Sequence, residues 1–147
     1  MKQGKPGVYA RYIKRILDVL LSGCALVVLT PVLLIVAVLV RTKLGSPVIF
    51  CQERPGKDEK IFKMYKFRSM RVNAAEDSAW STNSDPRKTR FGSIIRKFSL
   101  DELPQFFNVL NGSMSLVGPR PPIPKEVEKY TPYQMHRLDA KGGITCY

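Results

Sequence analysis

The chain has 147 residues, 44% of them apolar or aromatic, and its 24 basic side chains against 12 acidic ones give a net charge of +12. No repeat or biased tract appears, which excludes collagen-like, coiled-coil and low-complexity classes. Three widely spaced cysteines, Cys24, Cys51 and Cys146, argue against a disulfide-stapled secreted domain and read as reduced thiols in a cytoplasmic setting.

The charge is uneven. Residues 1–52 carry seven basic side chains and one acid, Asp18; residues 53–100 carry twelve and six; residues 101–147 carry five and five. An excess of this size implies an anionic partner: lipid headgroups, a phosphorylated substrate or nucleic acid. Residues 1–15 form a basic N-terminal segment. Ile16–Val40 follows, with one charge and long Leu/Val/Ile runs. As a helix it would be ~37 Å long, enough to cross a hydrocarbon core of ~30 Å. It is too long for a cleaved signal peptide, and Arg41-Thr42-Lys43 replaces a small-residue cleavage site.

Thr30-Pro31 sits just past the middle of this segment, where a missing amide donor kinks a helix. Both flanks are basic: Lys2, Lys5, Arg11, Lys14 and Arg15 before, Arg41 and Lys43 after. Positive flanks favour the cytoplasmic side, so both ends want the same face of the membrane. A helix-break-helix that enters and leaves one leaflet satisfies both facts, with the Thr30 hydroxyl as a partner for freed backbone groups. An ordinary kinked span is the other reading. Asp18 is expected to pair with Lys14 or Arg15 one turn away.

Residues 41–147 form the second domain. Val48–Glu53 reads as a strand, Arg54-Pro55-Gly56-Lys57 as a turn, and Lys60–Phe67 as the returning strand of a β-hairpin. Asn73–Ala79 reads as a short helix, Ser81–Pro86 as a polar loop and Arg90–Phe98 as a basic helix. Ser99-Leu-Asp-Glu102 matches a capping box and predicts a helix from Ser99 to about Leu110, with Pro104 near its first turn. Leu116–Pro122 is a Gly/Pro-rigid loop. Pro124 opens a last helix to about Leu138, and Lys141-Gly-Gly143 breaks it. The ending Ile144-Thr-Cys-Tyr147, without a polar tail, predicts a piece of a longer protein.

Three features carry chemistry. Asp101-Glu102 places two adjacent carboxyl groups at a helix start, a positive field that also attracts phosphate, just after Arg96 and Lys97. One carboxylate could attack a phosphorus while the other holds Mg²⁺; both could equally be capping residues. Gly118-Pro119-Arg120-Pro121-Pro122 fixes the backbone on both sides of one arginine, either presenting a guanidinium fork to phosphate or leaving it solvated. The hairpin cations, Lys66 and Arg68 among them, are interleaved with aromatics, which suits a membrane-facing or nucleic-acid surface or a solvated strand face. His136 reads as an ordinary helix residue. No metal-ligand cluster, Walker loop, dinucleotide fingerprint or serine elbow appears.

Several collinear motifs then coincide: Lys14-Arg15-x-x-Asp18, Gln52-Glu-Arg-Pro-Gly56, Lys66-Phe-Arg-Ser-Met70, Asp85-Pro-Arg87 with Thr89 and Gly92, Ser99-Leu-Asp-Glu-Leu-Pro-Gln105, Asn108-Val-Leu-Asn-Gly112 and Met114-Ser-Leu-Val-Gly-Pro-Arg-Pro121. Together, over roughly nine-tenths of the chain, they resemble the bacterial monotopic phosphoglycosyl transferases, the undecaprenyl-phosphate sugar-1-phosphate transferases. The resemblance implies an α+β architecture: a re-entrant membrane helix broken at Thr30-Pro31, then a small, mostly helical domain with a β-hairpin at the cytoplasmic face of the bacterial inner membrane. It implies transfer of a sugar phosphate from a nucleotide diphosphate sugar to a polyprenyl phosphate, through a covalent intermediate on Asp101 with Glu102 as its dyad partner and Mg²⁺ at the dyad. Substrate-binding roles fall to Arg96, Arg120, Pro119, Lys66, Arg68, Asp85 and Arg87. The partners are those two substrates and membrane lipid, without nucleic acid; a homo-oligomer is compatible with the sequence. Ser113 departs from an acid found in many members, Gly142 from a proline and Cys146 from a glycine. The rival reading is a non-enzymatic, membrane-anchored basic domain that binds anionic lipid or nucleic acid.

Overall fold

A computed structural model describes residues 9–71 and 88–146. The expected helix Asn73–Ala79, the loop Ser81–Pro86, and the site residues Asp85 and Arg87 lie outside the described residues, as do Lys2 and Lys5. A π-helical turn, Tyr9–Ile13, leads into helix α1, Lys14–Leu44. This helix is longer than expected at both ends, and Pro31 lies inside an uninterrupted helical backbone. Its 31 residues correspond to ~46 Å of helical rise along the backbone. Val27, Val28, Leu34, Ile35 and Val38 are exposed along it. Among the described residues it is the one helix long and apolar enough to cross a membrane.

The hairpin is present as strands β1, Ile49–Pro55, and β2, Ile61–Phe67, paired in a two-stranded sheet. A 3₁₀ turn, Lys57–Glu59, joins them, and the Gly56 N–H donates to the Lys60 carbonyl. Helix α2 is Arg90–Lys97 and α3 is Gln105–Asn111. The loop read as Leu116–Pro122 begins inside a short strand, β3, Ser115–Val117, which pairs in parallel with β4, Gly143–Thr145. The single helix expected from Pro124 to Leu138 is three pieces: α4, Pro124–Val127, α5, Pro132–Met135, and a 3₁₀ turn, His136–Asp139. Thr131 caps α5 and Pro132 opens it, so the second proline starts a new helix instead of extending the old one.

The chain forms two compact units. The first comprises Met1–Leu29, Gln52–Met64 and Gln105–Tyr147; the second comprises Thr30–Cys51 and Tyr65–Pro104. The division within α1 falls immediately before Thr30-Pro31. The core of the second unit is Val36, Val40, Phe67 and Ile95, with Phe91 and Leu100 against it. The core of the first is Met64, Val109 and Met114, with Phe62, Leu116 and Ile144 against it.

In the first unit, the polar N-terminal turn of α1 binds the backbone of later segments. Arg15 donates to the carbonyls of Val109 and Leu110 in the last turn of α3, where Gly112 turns the chain at φ +91° and its N–H also donates to the Val109 carbonyl. Lys14 Nζ donates to the Val117 carbonyl at 2.9 Å. Asp18 is 7% exposed and accepts from Ser115 Oγ at 2.6 Å and the Leu116 N–H at 3.3 Å. This corrects the expected pairing of Asp18 with Lys14 or Arg15: both cations are directed to carbonyls, and the aspartate is taken by the start of β3. Asp18→Ala therefore strands the buried Ser115 hydroxyl. A loss of about 1–3 kcal/mol is expected, read as a lower Tm in detergent, while Ser115→Ala combined with Asp18→Ala should cost less than the two separate losses added together.

Candidate active site

The acidic pair sits in the second unit on a turn fixed by its neighbours. Thr89 caps α2, its Oγ1 accepting from the Gly92 N–H at 3.0 Å. Gly92 lies so close to the β2 exit that a Cβ there would meet the Ser69 carbonyl oxygen at 1.8 Å. Only glycine lets α2 settle at this depth, and Arg96 lies one turn further along it. The helix closes at Phe98, and Ser99 adopts the left-handed region at φ 54° while its N–H donates to the Arg96 carbonyl at 3.1 Å.

That geometry corrects the capping-box expectation. Ser99 terminates α2, and its side chain makes no capping bond to the next helix. Leu100–Glu102 is a 3₁₀ turn, and α3 starts only at Gln105, after Pro104. Leu100 packs on the Val36/Phe67/Ile95 core and anchors the turn. Asp101 is 9% exposed. On β2, Phe67 enters the core while Lys66 projects the other way, as strand alternation requires, and its Nζ reaches Glu102 Oε1 at 3.0 Å. Burial pushes the Asp101 carboxyl above the ordinary aspartate range; Glu102 adds to the rise, while Lys66, the Asp101 backbone N–H and Arg96 oppose it. Asp101 is thus a buried carboxyl beside three charged groups, unlike a solvated capping residue.

Beside α2 is a cavity of about 210 Å³ lined by Ser69, Lys88, Gly92, Ser93 and Arg96. Two cations and two hydroxyls suit an anionic ligand. The sequence reading missed Ser69, Lys88 and Ser93 here, although Ser69 lies within the Lys66–Met70 motif. Arg68 is 8% exposed, and its guanidinium donates to the Ser46 carbonyl at 2.8 Å, bracing the segment after α1. Among the described residues no group of three or more His, Cys, Asp or Glu could hold a metal ion. Among the described residues the adjacent Asp101 and Glu102 are the candidate donors. Two carboxyl groups fit Mg²⁺, which keeps several waters and takes its remaining ligands from substrate phosphates.

Pro119 and Arg120 belong to the first unit. Their loop is pinned by the segment around β4: the Gly118 N–H donates to the Thr145 carbonyl at 3.1 Å and the Gly143 N–H to the Pro119 carbonyl at 3.0 Å. A Cβ on Gly143 would lie 2.1 Å from the Gly118 nitrogen, so the two backbones touch. Pro121 and Pro122 are buried, whereas Arg120 is exposed at the apex. His136 joins Asp139 in an exposed pair at 2.9 Å.

Along most of its length the chain is similar to known proteins. The chain is 43% identical over 142 residues to the UDP-N-acetylgalactosamine-undecaprenyl-phosphate N-acetylgalactosaminephosphotransferase of Aeromonas hydrophila, which covers 94% of this chain and 33% of that protein. It is 46% identical over 136 residues to the UDP-glucose:undecaprenyl-phosphate glucose-1-phosphate transferase of Klebsiella pneumoniae, covering 90% of this chain and 29% of the relative. It is 40% identical over 152 aligned positions to the undecaprenyl-phosphate galactose phosphotransferase of Salmonella typhimurium, covering 92% and 32%. The chain spans about a third of the length of each of these three relatives. The model of the family described as bacterial sugar transferase matches residues 9–147, which takes in α1, the acidic turn and the Arg120 loop, and the chain belongs to that family.

Proposed function

We propose that this chain transfers a sugar-1-phosphate from a nucleotide diphosphate sugar to a polyprenyl phosphate at the cytoplasmic face of the membrane. The observation that carries the reading is the buried Asp101 carboxyl, raised by its surroundings and adjoined by Glu102, Lys66 and Arg96. The names of the relatives, which pair UDP-sugars with undecaprenyl phosphate, supply the substrate class.

The reaction proceeds in two displacements. An Asp101 carboxylate oxygen attacks the phosphorus that bears the sugar, and the bond to the bridging oxygen of the diphosphate breaks. Nucleoside monophosphate leaves with that oxygen and its electron pair. A phosphate oxygen of the polyprenyl phosphate then attacks the same phosphorus, and the Asp101 carboxylate departs unchanged. Arg96 and Arg120 neutralise phosphate oxygens, and Lys66 holds Glu102 in place. Mg²⁺, when bound by Asp101 and Glu102, would neutralise diphosphate charge and make the nucleotide a better leaving group. One site serving two substrates in turn suits the meeting of a soluble donor with an insoluble acceptor.

The same proposal makes α1 re-entrant. Its first turn binds the carbonyls of Val109, Leu110 and Val117, and its later residues Val36 and Val40 pack on Phe67 and Ile95. Both ends therefore touch chain that follows the helix. A straight span would carry the first turn across ~30 Å of hydrocarbon, away from that chain. Basic residues at both ends, Lys14 and Arg15 then Arg41 and Lys43, favour one face.

Incubation with sugar-labelled nucleotide sugar and Mg²⁺, without lipid acceptor, should leave hydroxylamine-labile label on a peptide containing Asp101. Turnover that requires both substrates together, with no trapped label, would favour direct transfer. Asp101→Asn should lower turnover by orders of magnitude. Its effect on stability has a defined sign. A raised carboxyl pKa means that wild type keeps the contribution of this group below the unfolded pKa and loses it as pH rises through the folded value. Asp101→Asn should therefore be as stable as wild type or more so at neutral pH in thermal denaturation, with the advantage shrinking towards acid. A capping residue would instead lose stability on substitution.

Topology is tested separately. With Cys24, Cys51 and Cys146 replaced, Lys5→Cys and Ser46→Cys should both resist an impermeant thiol reagent in intact cells and both react after permeabilisation. Labelling of Lys5→Cys alone from outside would establish a span.

A further inference from the structure

The two displacements make no use of Arg54, one of the few charged side chains buried in the first unit. It is 8% exposed. Its Nε and Nη2 both donate to Gln52 Oε1, at 3.2 and 2.8 Å, and its Nη1 donates to the Pro121 carbonyl at 3.1 Å. Gln52 and Arg54 are two apart on β1 and so share a face of the strand. The guanidinium is thus a rigid bridge from a strand to the residue directly after Arg120. On the other side of Arg120, the Pro119 carbonyl is held by the Gly143 N–H. The exposed arginine is clamped between two anchored carbonyls, and one of the two anchors is charged.

A charged anchor is costly here. Burial and the nearby Arg120 both disfavour the cation, and Glu126 offsets them only in part. The hydrogen-bond partners of Arg54 among the described residues are neutral oxygens. Packing alone would be served by a neutral side chain of similar shape. A second cation held beside Arg120 makes sense where a multiply charged anion arrives, because it deepens the positive potential at no further cost in reorganisation.

We infer that Arg54 is a positioning residue for Arg120: it fixes the Pro121 carbonyl, presets the Arg120 fork, and tunes that fork for a phosphate or diphosphate anion. The inference rests on the reading of Arg120 as a phosphate ligand, and the test separates the two.

The intact chain is assayed for release of nucleoside monophosphate from a nucleotide diphosphate sugar, comparing Arg120→Lys, Arg54→Lys, Gln52→Ala and the doubles that combine each of the last two with Arg120→Lys. Arg54→Lys keeps the charge but cannot span both Gln52 and Pro121, and should lower kcat/KM about 10- to 100-fold with the same split between kcat and KM as Arg120→Lys. Gln52→Ala loosens the bridge and should cost less. Because both act through Arg120, each double should be no worse than Arg120→Lys alone. Multiplicative losses in the doubles, or a fully active Arg54→Lys, would overturn the inference while leaving Arg120 as a ligand. A fully active Arg120→Lys would instead remove the phosphate reading of Arg120 itself, and this inference with it. If Arg54→Lys does not fold, Gln52→Ala and its double decide alone, since they leave the guanidinium in place.

Discussion

A long apolar helix has no directional means of fixing itself to a small polar domain, because its apolar side chains attract lipid as readily as protein. The first turn of α1 supplies the missing direction. Asp18, buried against Ser115 and Leu116, and Arg15, on the carbonyls that end α3, are hydrogen bonds with defined geometry. They orient α1 against β3, and the strand leads directly into the Gly118–Pro122 loop. Both partners of Asp18 are backbone or hydroxyl donors at the first residues of β3, so losing the carboxyl would leave the Ser115 hydroxyl and the Leu116 N–H without this acceptor.

The second unit solves a different problem, that of burying an acid beside charged neighbours. Its core reaches the acidic turn through Leu100 and reaches Lys66 through Phe67, the next residue on β2. The cation and the carboxyl groups are therefore carried by backbones that share one hydrophobic cluster. Gly92 permits α2 to approach Ser69 closely enough for Arg96 to join them. Among the described residues, β2, α2 and the 3₁₀ turn carry these groups.

Much of this was legible in the sequence, for identifiable reasons. The apolar run announced α1, the alternating Ile61–Phe67 segment with its glycine turn announced the hairpin, and the motif around Asp101 announced the acid pair. What failed was local grammar with two meanings. Ser99-x-x-Glu102 reads as an N-terminal box, but a serine can also enter the left-handed region to end the preceding helix, and the chain uses it that way. Asp18 reads as a helical ion-pair partner because its nearest cations in sequence are Lys14 and Arg15; its actual partners lie 97 and 98 residues away. Strands β3 and β4 have three residues each and pair in parallel across 28 positions, too short for any periodicity to appear. Arg54 was read as a turn residue next to Pro55, since nothing local shows that its fork crosses to Pro121.

The order of the two units along the chain has a consequence for biosynthesis. All of the second unit lies between Thr30 and Pro104, so its residues have been synthesised before the last segment of the first unit, Gln105–Tyr147, emerges. The first unit joins Met1–Leu29 and Gln52–Met64 to that segment, and β4 needs residues as late as Thr145. During translation Arg15 and Asp18 therefore wait without Val109, Leu110 and Ser115, at the start of an apolar segment. The apolar segment is therefore complete well before the latch that fixes its first turn can form.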